Sequence, residues 1–262
     1  MTALASNNFH SNPLKAQLML GFLLLFNSCT SFENQYVISG NTMGTTYLVK
    51  IVAPDNANDM GSIERSIDSL LIQLNKQMST WDPKSEISQF NDWNSKVPFA
   101  VSDDFLNVVR KSITISEQTG GLFDPTVYDL MSLWGFGPNP KSGFPNLEDV
   151  HRTLGHTGVD QFEITDSKLS KSNEKCKLDL NAIAKGYGVD KIFDFLNEKG
   201  FNNIFVEIGG EVKCSGKNRE NKDWSIGIEN PSGNGNYQKK ISAIISITNS
   251  AIATSGNYRN IV

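Results

Sequence analysis

The sequence contains few of the residues that most often mark metal centres and disulfide frameworks. Its 262 residues include three cysteines and three histidines, and His10, His151 and His156 are too scattered to predict a histidine-rich metal site. No cluster of lysine and arginine stands out and the net charge is −4, which disfavours binding to a nucleic-acid backbone. Neither the Walker phosphate loop nor the G-x-G-x-x-G pattern occurs, so the common nucleotide-binding folds are not supported.

The remaining composition is that of an ordinary globular protein. Hydrophobic residues make up 39% of the chain and charged residues 20%, and the length is ample for one large core. Strand-like and helix-like segments do not alternate regularly, so the sequence predicts an α+β fold with mixed or antiparallel sheets rather than a doubly wound sheet. One domain over residues 42–262 is the simplest interpretation.

The N-terminus resembles an export signal. An uncharged apolar run follows Lys15 and spans only residues 16–26, too short for a membrane-spanning helix, which needs about 20 apolar residues. Small residues and Cys29 follow at once, as at the lipidation site of bacterial lipoproteins. We expect residues 1–28 to be a lipoprotein signal peptide and residues 29–41 a linker. The alternative is an ordinary secretory signal with an incidental cysteine.

Hydrophobic periodicity predicts the main elements. Residues 45–52 alternate as in a strand, and apolar residues recur every three or four positions through the segment 63–78, as in an amphipathic helix. Ser102 is placed to cap a second helix, and a third is predicted over residues 182–197. Further strands are predicted at 163–165, 177–180, 204–208, 224–229 and 241–248, and a turn at 230–236. Cys176 and Cys214 could pair or remain buried free thiols, and composition favours neither.

Four segments could carry chemistry. Thr42–Thr45 (TMGT) opens a strand, and Ser79–Pro83 (STWDP) follows a helix. The third segment runs from Gly120–Thr126 (GGLFDPT) to Leu133–Gly137 (LWGFG), and the fourth is Lys177–Gly188 (KLDLNAIAKGYG).

The fourth segment is the most informative. A strand delivers Asp179 to the start of a helix, whose first amides have no partner within the helix and therefore bind anions, phosphates above all. Lys185 adds a cation. The alternative is a capped helix with its glycines packed against the sheet.

Trp81 and Asp124 each allow two interpretations. Trp81 could stack on a flat heteroaromatic ring or simply pack against the protein surface. Phe123 and Asp124 could present an aromatic ring and a carboxylate to a ligand, or Asp124 and Pro125 could only form a turn.

Six ordered motifs resemble the FAD:protein FMN transferase family, whose members were formerly described as thiamine-biosynthesis lipoproteins. They are MGTTY, STWDP with the following KSEIS and FN, GGLFDPTV with LWGFGP, LDLNAIAKGYGVD, IGGE and ATSGNYRN, and they span residues 41–260. The resemblance implies an α+β fold with a T-fold-like core. It also implies a Mg²⁺-dependent enzyme, lipid-anchored to the periplasmic side of the bacterial inner membrane. Its expected activity is to cleave FAD, release AMP and attach FMN to a Ser or Thr of an acceptor flavoprotein, such as a redox-pump subunit.

The resemblance also implies site residues. Those expected to contact FAD are Met43, Trp81, Leu122, Phe123, Asp124, Asp179 and Lys185, and the carbonyl of Ala182 is expected to bind Mg²⁺. No catalytic side chain is assigned. The family continues into a histidine-containing strand and further Asp and Thr metal ligands that residues 1–262 lack, so we expect these residues to transfer FMN poorly. The alternatives are an FAD-binding lipoprotein without turnover, or a pyrophosphatase that hydrolyses FAD to FMN and AMP.

Overall fold

A computed structural model describes residues 33–55, 59–230 and 241–256. The predicted signal peptide, Cys29 and most of the predicted 230–236 turn lie outside these residues. Strand β1 (Glu33–Thr42) pairs antiparallel with β2 (Thr45–Pro54), which confirms the predicted strand at 45–52. Met43 and Gly44 connect them with φ values of 49° and 72°. Positive φ at both central residues is the arrangement of a type I′ hairpin turn.

Strand β1 corrects the interpretation of residues 33–41 as part of a linker. Only Ile38 and Thr42 of this strand are buried. It lies at the edge of its sheet, so it lacks the strict alternation of apolar residues that identifies a half-buried strand.

The central sheet contains five antiparallel strands in the order β1-β2-β6-β7-β10, where β6 is Asn203–Ile208, β7 is Glu211–Ser215 and β10 is Ser250–Ile252. Helices α1 (Met60–Met78) and α6 (Asn181–Glu198) pack on it. The resulting core contains Val49, Ile51, Ile67, Leu71, Ile192, Leu196 and Val206. Both helices were predicted, with bounds that differ by at most three residues.

A second core joins the end of α1 to α2 (Glu86–Asn91), α3 (Asp103–Gln118) and a small sheet. That sheet has the order β3-β5-β4, from β3 (Phe99–Ala100), β4 (Phe162–Thr165) and β5 (Lys168–Lys171). Phe90 lies within this core and contacts Phe99, Phe105 and Phe162. The Ser102 side chain accepts a hydrogen bond from the Phe105 amide, which confirms the predicted cap of α3.

The remaining elements are the helices α4 (Tyr128–Leu133) and α5 (Leu147–Leu154), a short 3₁₀ turn at Val159–Gln161, and the hairpin of β8 (Trp224–Glu229) and β9 (Ile241–Ile247). The prediction of an α+β fold with antiparallel sheets is therefore confirmed. Within the described residues, no helix is both long enough and apolar enough to span a membrane.

Two further sequence expectations are settled by the structure. Residues 177–180 do not form the predicted strand, because only Lys177 makes a bridge, in parallel with Val127. Leu178 instead bonds to the side chain of Asn91. Cys176 and Cys214 are both buried free thiols, so the disulfide alternative is excluded.

Candidate functional site

The N-terminal half of α6 is where the predicted site segments meet. The amide of Asp179, just before the helix, donates to the carbonyl of Pro125 at 2.7 Å. The side chain of Asn181, its first residue, lies 3.4 Å from the Thr80 hydroxyl. These contacts join the FDPT and STWDP segments to the start of the helix, although the three segments are far apart in sequence.

The turn that carries Met43 packs against the same helix. A Cβ placed on Gly188 would lie 3.3 Å from the Met43 Cε and 3.1 Å from the Ile208 Cδ1. Gly188 therefore allows close packing of the β1–β2 turn and the end of β6 on the helix. Met43 is also a non-glycine residue with positive φ, a conformation that costs free energy and that clusters at functional sites.

Gly209 and Gly210 connect β6 to β7 at this end of the central sheet. Their φ values are 55° and 95°, which favour glycine. A Cβ on Gly209 would lie 2.7 Å from the Thr45 Cγ2, and one on Gly210 would collide with the Thr254 Oγ1. The Thr254 hydroxyl also donates to the carbonyl of Gly210 at 3.1 Å. The MGTTY, IGGE and ATSG motifs therefore share one tightly packed corner.

Lys185 reaches this corner from the first half of α6. Its Nζ lies 3.2 Å from Oε1 of Glu211, the residue after the two glycines. Both side chains are largely shielded from water, with 32% and 16% of their surface exposed. Glu211 was not among the predicted site residues. Its place in the IGGE motif was the only sequence signal, because no local spacing relates it to Lys185.

Asp179 lies next to the start of α6 and is partly shielded from solvent. Its Oδ1 accepts a hydrogen bond from the Asn181 amide at 2.8 Å. Burial is the largest influence on this carboxyl and raises its pKa, against the lowering effect of the bonds to Asn181. The helix itself begins after Leu180, which supplies no capping side chain. Asp179 therefore accepts a hydrogen bond from the first residue of α6, the helix that carries Lys185, and its carboxyl group is partly buried.

Asp124 forms a turn, which was one of the two roles predicted for this residue. Its Oδ1 accepts from the amide and the hydroxyl of Thr126, at 2.8 Å and 2.6 Å. The Thr126 hydroxyl oxygen also accepts from the Gly158 amide at 2.7 Å. The turn directs one carboxylate oxygen to the protein, and this is compatible with a ligand contact by the other.

The apolar residues predicted for the site lie on the surface. Trp81 is 67% exposed and Leu122 is 93% exposed, while Phe123 is intermediate. Their segments are joined to α6 by the hydrogen bonds of Thr80 with Asn181 and of Pro125 with Asp179. Large exposed apolar side chains beside a polar corner offer a surface for a flat aromatic ligand.

Ala182 lies exposed in the first turn of α6, next to Asn181, whose side chain reaches Thr80. Among residues 33–55, 59–230 and 241–256, no three His, Cys, Asp or Glu side chains are grouped to hold a metal ion. One carbonyl does not complete the octahedral oxygen shell that Mg²⁺ requires. The described donors therefore fit Mg²⁺ only as partners of a ligand that brings its own oxygen atoms.

Comparison with known proteins finds a matching family model and similar sequences. The ApbE family model matches residues 43–262. The chain is 41% identical to a Vibrio cholerae protein named FAD:protein FMN transferase, over 92% of this chain and 72% of that protein. A Haemophilus influenzae protein of the same name is 36% identical, over 88% of this chain and 68% of that protein.

Solved structures of flavin transferases have a similar fold. "Flavin Transferase ApbE from Vibrio cholerae" superposes with a TM-score of 0.79 at 40% identity, covering 88% of this chain and 74% of that one. The apo form of Pseudomonas stutzeri flavinyl transferase ApbE gives a TM-score of 0.77 at 31% identity, covering 87% and 73%.

Proposed function

Because this chain belongs to the ApbE family, we propose that it transfers FMN from FAD to a Ser or Thr hydroxyl of an acceptor flavoprotein and releases AMP. The supporting observation is the meeting of the motif segments around the first half of α6, where Lys185 and Asp179 lie. In the reaction, the hydroxyl oxygen bonds to the phosphorus of the FMN half. The bond from that phosphorus to the bridging oxygen breaks, and AMP leaves with the bridging oxygen. The hydroxyl proton passes to solvent.

The residues of the site suit this reaction. Phosphoryl-type transfer depends more on positioning and charge neutralisation than on a protein nucleophile. Lys185 would bring positive charge to the phosphates, and Asp179 would bind a donor on the ribose or adenine, because a carboxylate beside a pyrophosphate would repel it. Trp81 would line the pocket of the flavin nucleotide, and Leu122 and Phe123 would contact FAD largely through main-chain atoms. Met43 and Asp124 would complete the FAD pocket, and no catalytic side chain is assigned.

Mg²⁺ is the proposed cofactor, bound by the Ala182 carbonyl together with the phosphates of FAD. When bound, the ion would neutralise the charge that develops as AMP departs. The proposal predicts that FAD affinity depends on Mg²⁺. In a titration of the full-length protein with FAD, chelation by EDTA should weaken binding, and binding that is equal with and without Mg²⁺ would contradict the shared site.

The test of transfer uses the full-length protein, FAD, Mg²⁺ and an exported flavoprotein subunit with a Ser or Thr attachment point. Mass spectrometry should show the acceptor gaining one FMN less one water, with one AMP released, and no gain when that hydroxyl residue is replaced by Ala. Release of AMP and free FMN without a mass gain would indicate a pyrophosphatase instead. Binding of FAD without AMP would indicate a binding protein.

We also propose that the protein is lipid-anchored through Cys29 on the periplasmic side of the inner membrane. The support is the short apolar run over residues 16–26, which Cys29 follows after two further residues. A single acyl chain binds a membrane only marginally, so stable anchoring needs more than one. Cys29→Ser should leave the signal uncleaved or release the protein in soluble form. A variant that is still processed and still fractionates with membranes would contradict the proposal.

A further inference from the structure

Asn91, the last residue of α2, is buried and bonded twice to one distant residue. Its Nδ2 donates to the carbonyl of Leu178 at 2.8 Å, and its Oδ1 accepts from the amide of Leu178 at 2.7 Å. The two residues are 87 positions apart. One side-chain amide therefore supplies both bonds that a neighbouring strand would supply in an antiparallel ladder. This explains how the buried Leu178 satisfies its backbone amide and carbonyl without joining a sheet.

Lys171 holds the backbone of Asn91 in place. The Nζ of Lys171, which is almost completely buried, donates to the Asn91 carbonyl at 3.2 Å. The same ammonium group lies 4.7 Å from the centre of the Phe90 ring. A buried cation needs such partners, and these two fix the end of α2. The side chain of Asn91 therefore projects from an anchored backbone.

The position of Leu178 sets the position of the site. Leu178 and Leu180 are fully buried in the second core, and Asp179 between them is bonded to Pro125 and Asn181. The chain passes directly from Leu180 into α6, which carries Ala182 and Lys185. A shift of Leu178 would therefore move Asp179 and the first turn of α6 together, relative to the FDPT segment.

We propose that Asn91 is a positioning residue for FAD, acting through Leu178 to hold Asp179 and the start of α6 in place. This inference rests on the proposed function, in that FAD is the ligand of the site. Asn91 would not contact FAD itself. A displacement of about 1 Å at a group that positions a substrate can reduce turnover about 100-fold, so loss of the amide should be visible in turnover as well as in stability.

Two variants test the amide, and a third tests its anchor. Asn91→Ala removes both bonds to Leu178, whereas Asn91→Asp keeps the acceptor but places a carboxylate oxygen against the Leu178 carbonyl. Lys171→Met leaves the amide intact and removes the hydrogen bond that holds Asn91. If Asn91→Ala does not fold, the Asp and Lys171→Met variants still test the proposal.

Asn218→Ala is the matched control. The Asn218 side chain also holds backbone groups, because it accepts from the amides of Glu220 and Lys222 and donates to the Asp223 carbonyl. Its loop follows the end of β7 opposite to Glu211. It therefore reproduces the loss of an amide that holds the backbone, without a connection to α6.

The measurements are FAD affinity by flavin fluorescence, AMP release at saturating FAD with acceptor present, and the thermal midpoint of the full-length protein. Asn91→Ala and Asn91→Asp should lower kcat or FAD affinity about 10- to 100-fold, and Lys171→Met should act in the same direction but less. Asn218→Ala should lower only the thermal midpoint.

Folded Asn91 variants that bind FAD and release AMP as well as Asn218→Ala would overturn the positioning role. Failure of the proposed function would look different, because the wild-type protein would then bind FAD without modifying the acceptor. In that case the affinity measurements alone would still decide the role of Asn91.

Discussion

Lys185 and Glu211 are 26 residues apart in the chain, and their side chains form an ion pair with 3.2 Å between Nζ and Oε1. The pair connects α6 to the glycine turn that begins β7. If Lys185 also binds the phosphates of FAD, it has two tasks, one structural and one in ligand binding. The two tasks can be separated experimentally because only the first requires Glu211.

Replacing Lys185 with Met should affect both stability and binding. It leaves Glu211 partly buried without its partner, which should lower the free energy of unfolding by about 1–3 kcal/mol. It should also weaken FAD binding about 10- to 100-fold, because a hydrogen bond involving a charged group is lost. Urea unfolding and a fluorescence titration with FAD measure the two effects.

The double variant Lys185→Met with Glu211→Gln separates them. Removing the unpaired carboxylate should restore most of the stability, since the penalty came from Glu211. FAD binding should stay weak. If the double variant regains wild-type FAD affinity, Lys185 serves only to neutralise Glu211 and does not bind the phosphates.

A side chain at Gly210 should destabilise the protein. Gly210→Ala places a Cβ against the Thr254 hydroxyl in a backbone conformation with a φ of 95°, and we expect it to lower the free energy of unfolding by about 1–3 kcal/mol. Gly186→Ala is the control, because its Cβ meets nothing within 4 Å on a helix. That change should stabilise by about 0.4–1 kcal/mol. Equal stability of the two variants in urea would contradict the tight packing at Gly210.

Periodicity predicts the elements of this fold that bury one face. The helix over residues 63–78 and the strand over 45–52 each bury a regular stripe of apolar side chains, so local sequence is sufficient. The motifs likewise identified Asp179 and Lys185 as site candidates. Strand β1 was missed because an edge strand with two buried residues carries little of that pattern.

Local sequence patterns do not predict pairings between residues that are far apart in the chain. Residues 177–180 alternate polar and apolar side chains as a strand does, yet the backbone of Leu178 bonds to an amide side chain from α2. The Lys185–Glu211 pair has the same origin, because the fold brings α6 and β7 together. Spacing along a chain predicts neighbours within one element, and a pair between two elements depends on the whole topology.

Trp81 should matter for FAD and little for the fold. It is mostly exposed, so Trp81→Ala should change the free energy of unfolding by less than about 0.5 kcal/mol. Loss of stacking on a ring of FAD should weaken binding roughly 2- to 10-fold, read from flavin fluorescence.

Trp93→Ala is the control for this experiment. The Trp93 indole donates to the Val97 carbonyl at 2.9 Å and its ring packs on Phe99, so its removal should destabilise the protein without changing FAD affinity. The reverse result, with Trp93→Ala affecting FAD and Trp81→Ala not, would remove Trp81 from the site.

The described cysteines should be unreactive in the native protein. Burial raises the pKa of the Cys176 thiol to about 12 and also raises that of Cys214, which suppresses the nucleophilic thiolate at neutral pH. Peptide mass spectrometry after iodoacetamide treatment at pH 8 should show both modified only when urea unfolds the chain. Rapid native labelling of either residue would show that it is accessible.

Asp179 gives the sharpest contrast between binding and stability, because burial raises its pKa. A carboxyl with a raised pKa binds its proton more tightly in the folded state, so stability falls as pH rises from its ordinary pKa through the raised one. That penalty persists at pH 7. Asp179→Asn removes the charge but keeps an oxygen that can accept from the Asn181 amide. The variant should therefore be at least as stable as the wild type at pH 7, with the difference disappearing at acid pH.

FAD binding by Asp179→Asn should nevertheless weaken by roughly 10- to 100-fold, because a charged hydrogen bond to the ligand contributes about 1.5–3 kcal/mol. Asp194→Asn is the control, because Asp194 is a largely exposed carboxylate near the far end of the same helix, beside Lys213. It tests whether removing any negative charge from α6 changes FAD affinity. A loss of stability with unchanged affinity in Asp179→Asn would assign the carboxylate to the helix start. If Asp179→Asn is more stable than the wild type but binds FAD more weakly, the carboxylate serves ligand binding. Its burial then destabilises the fold, and its charge stabilises the complex with FAD.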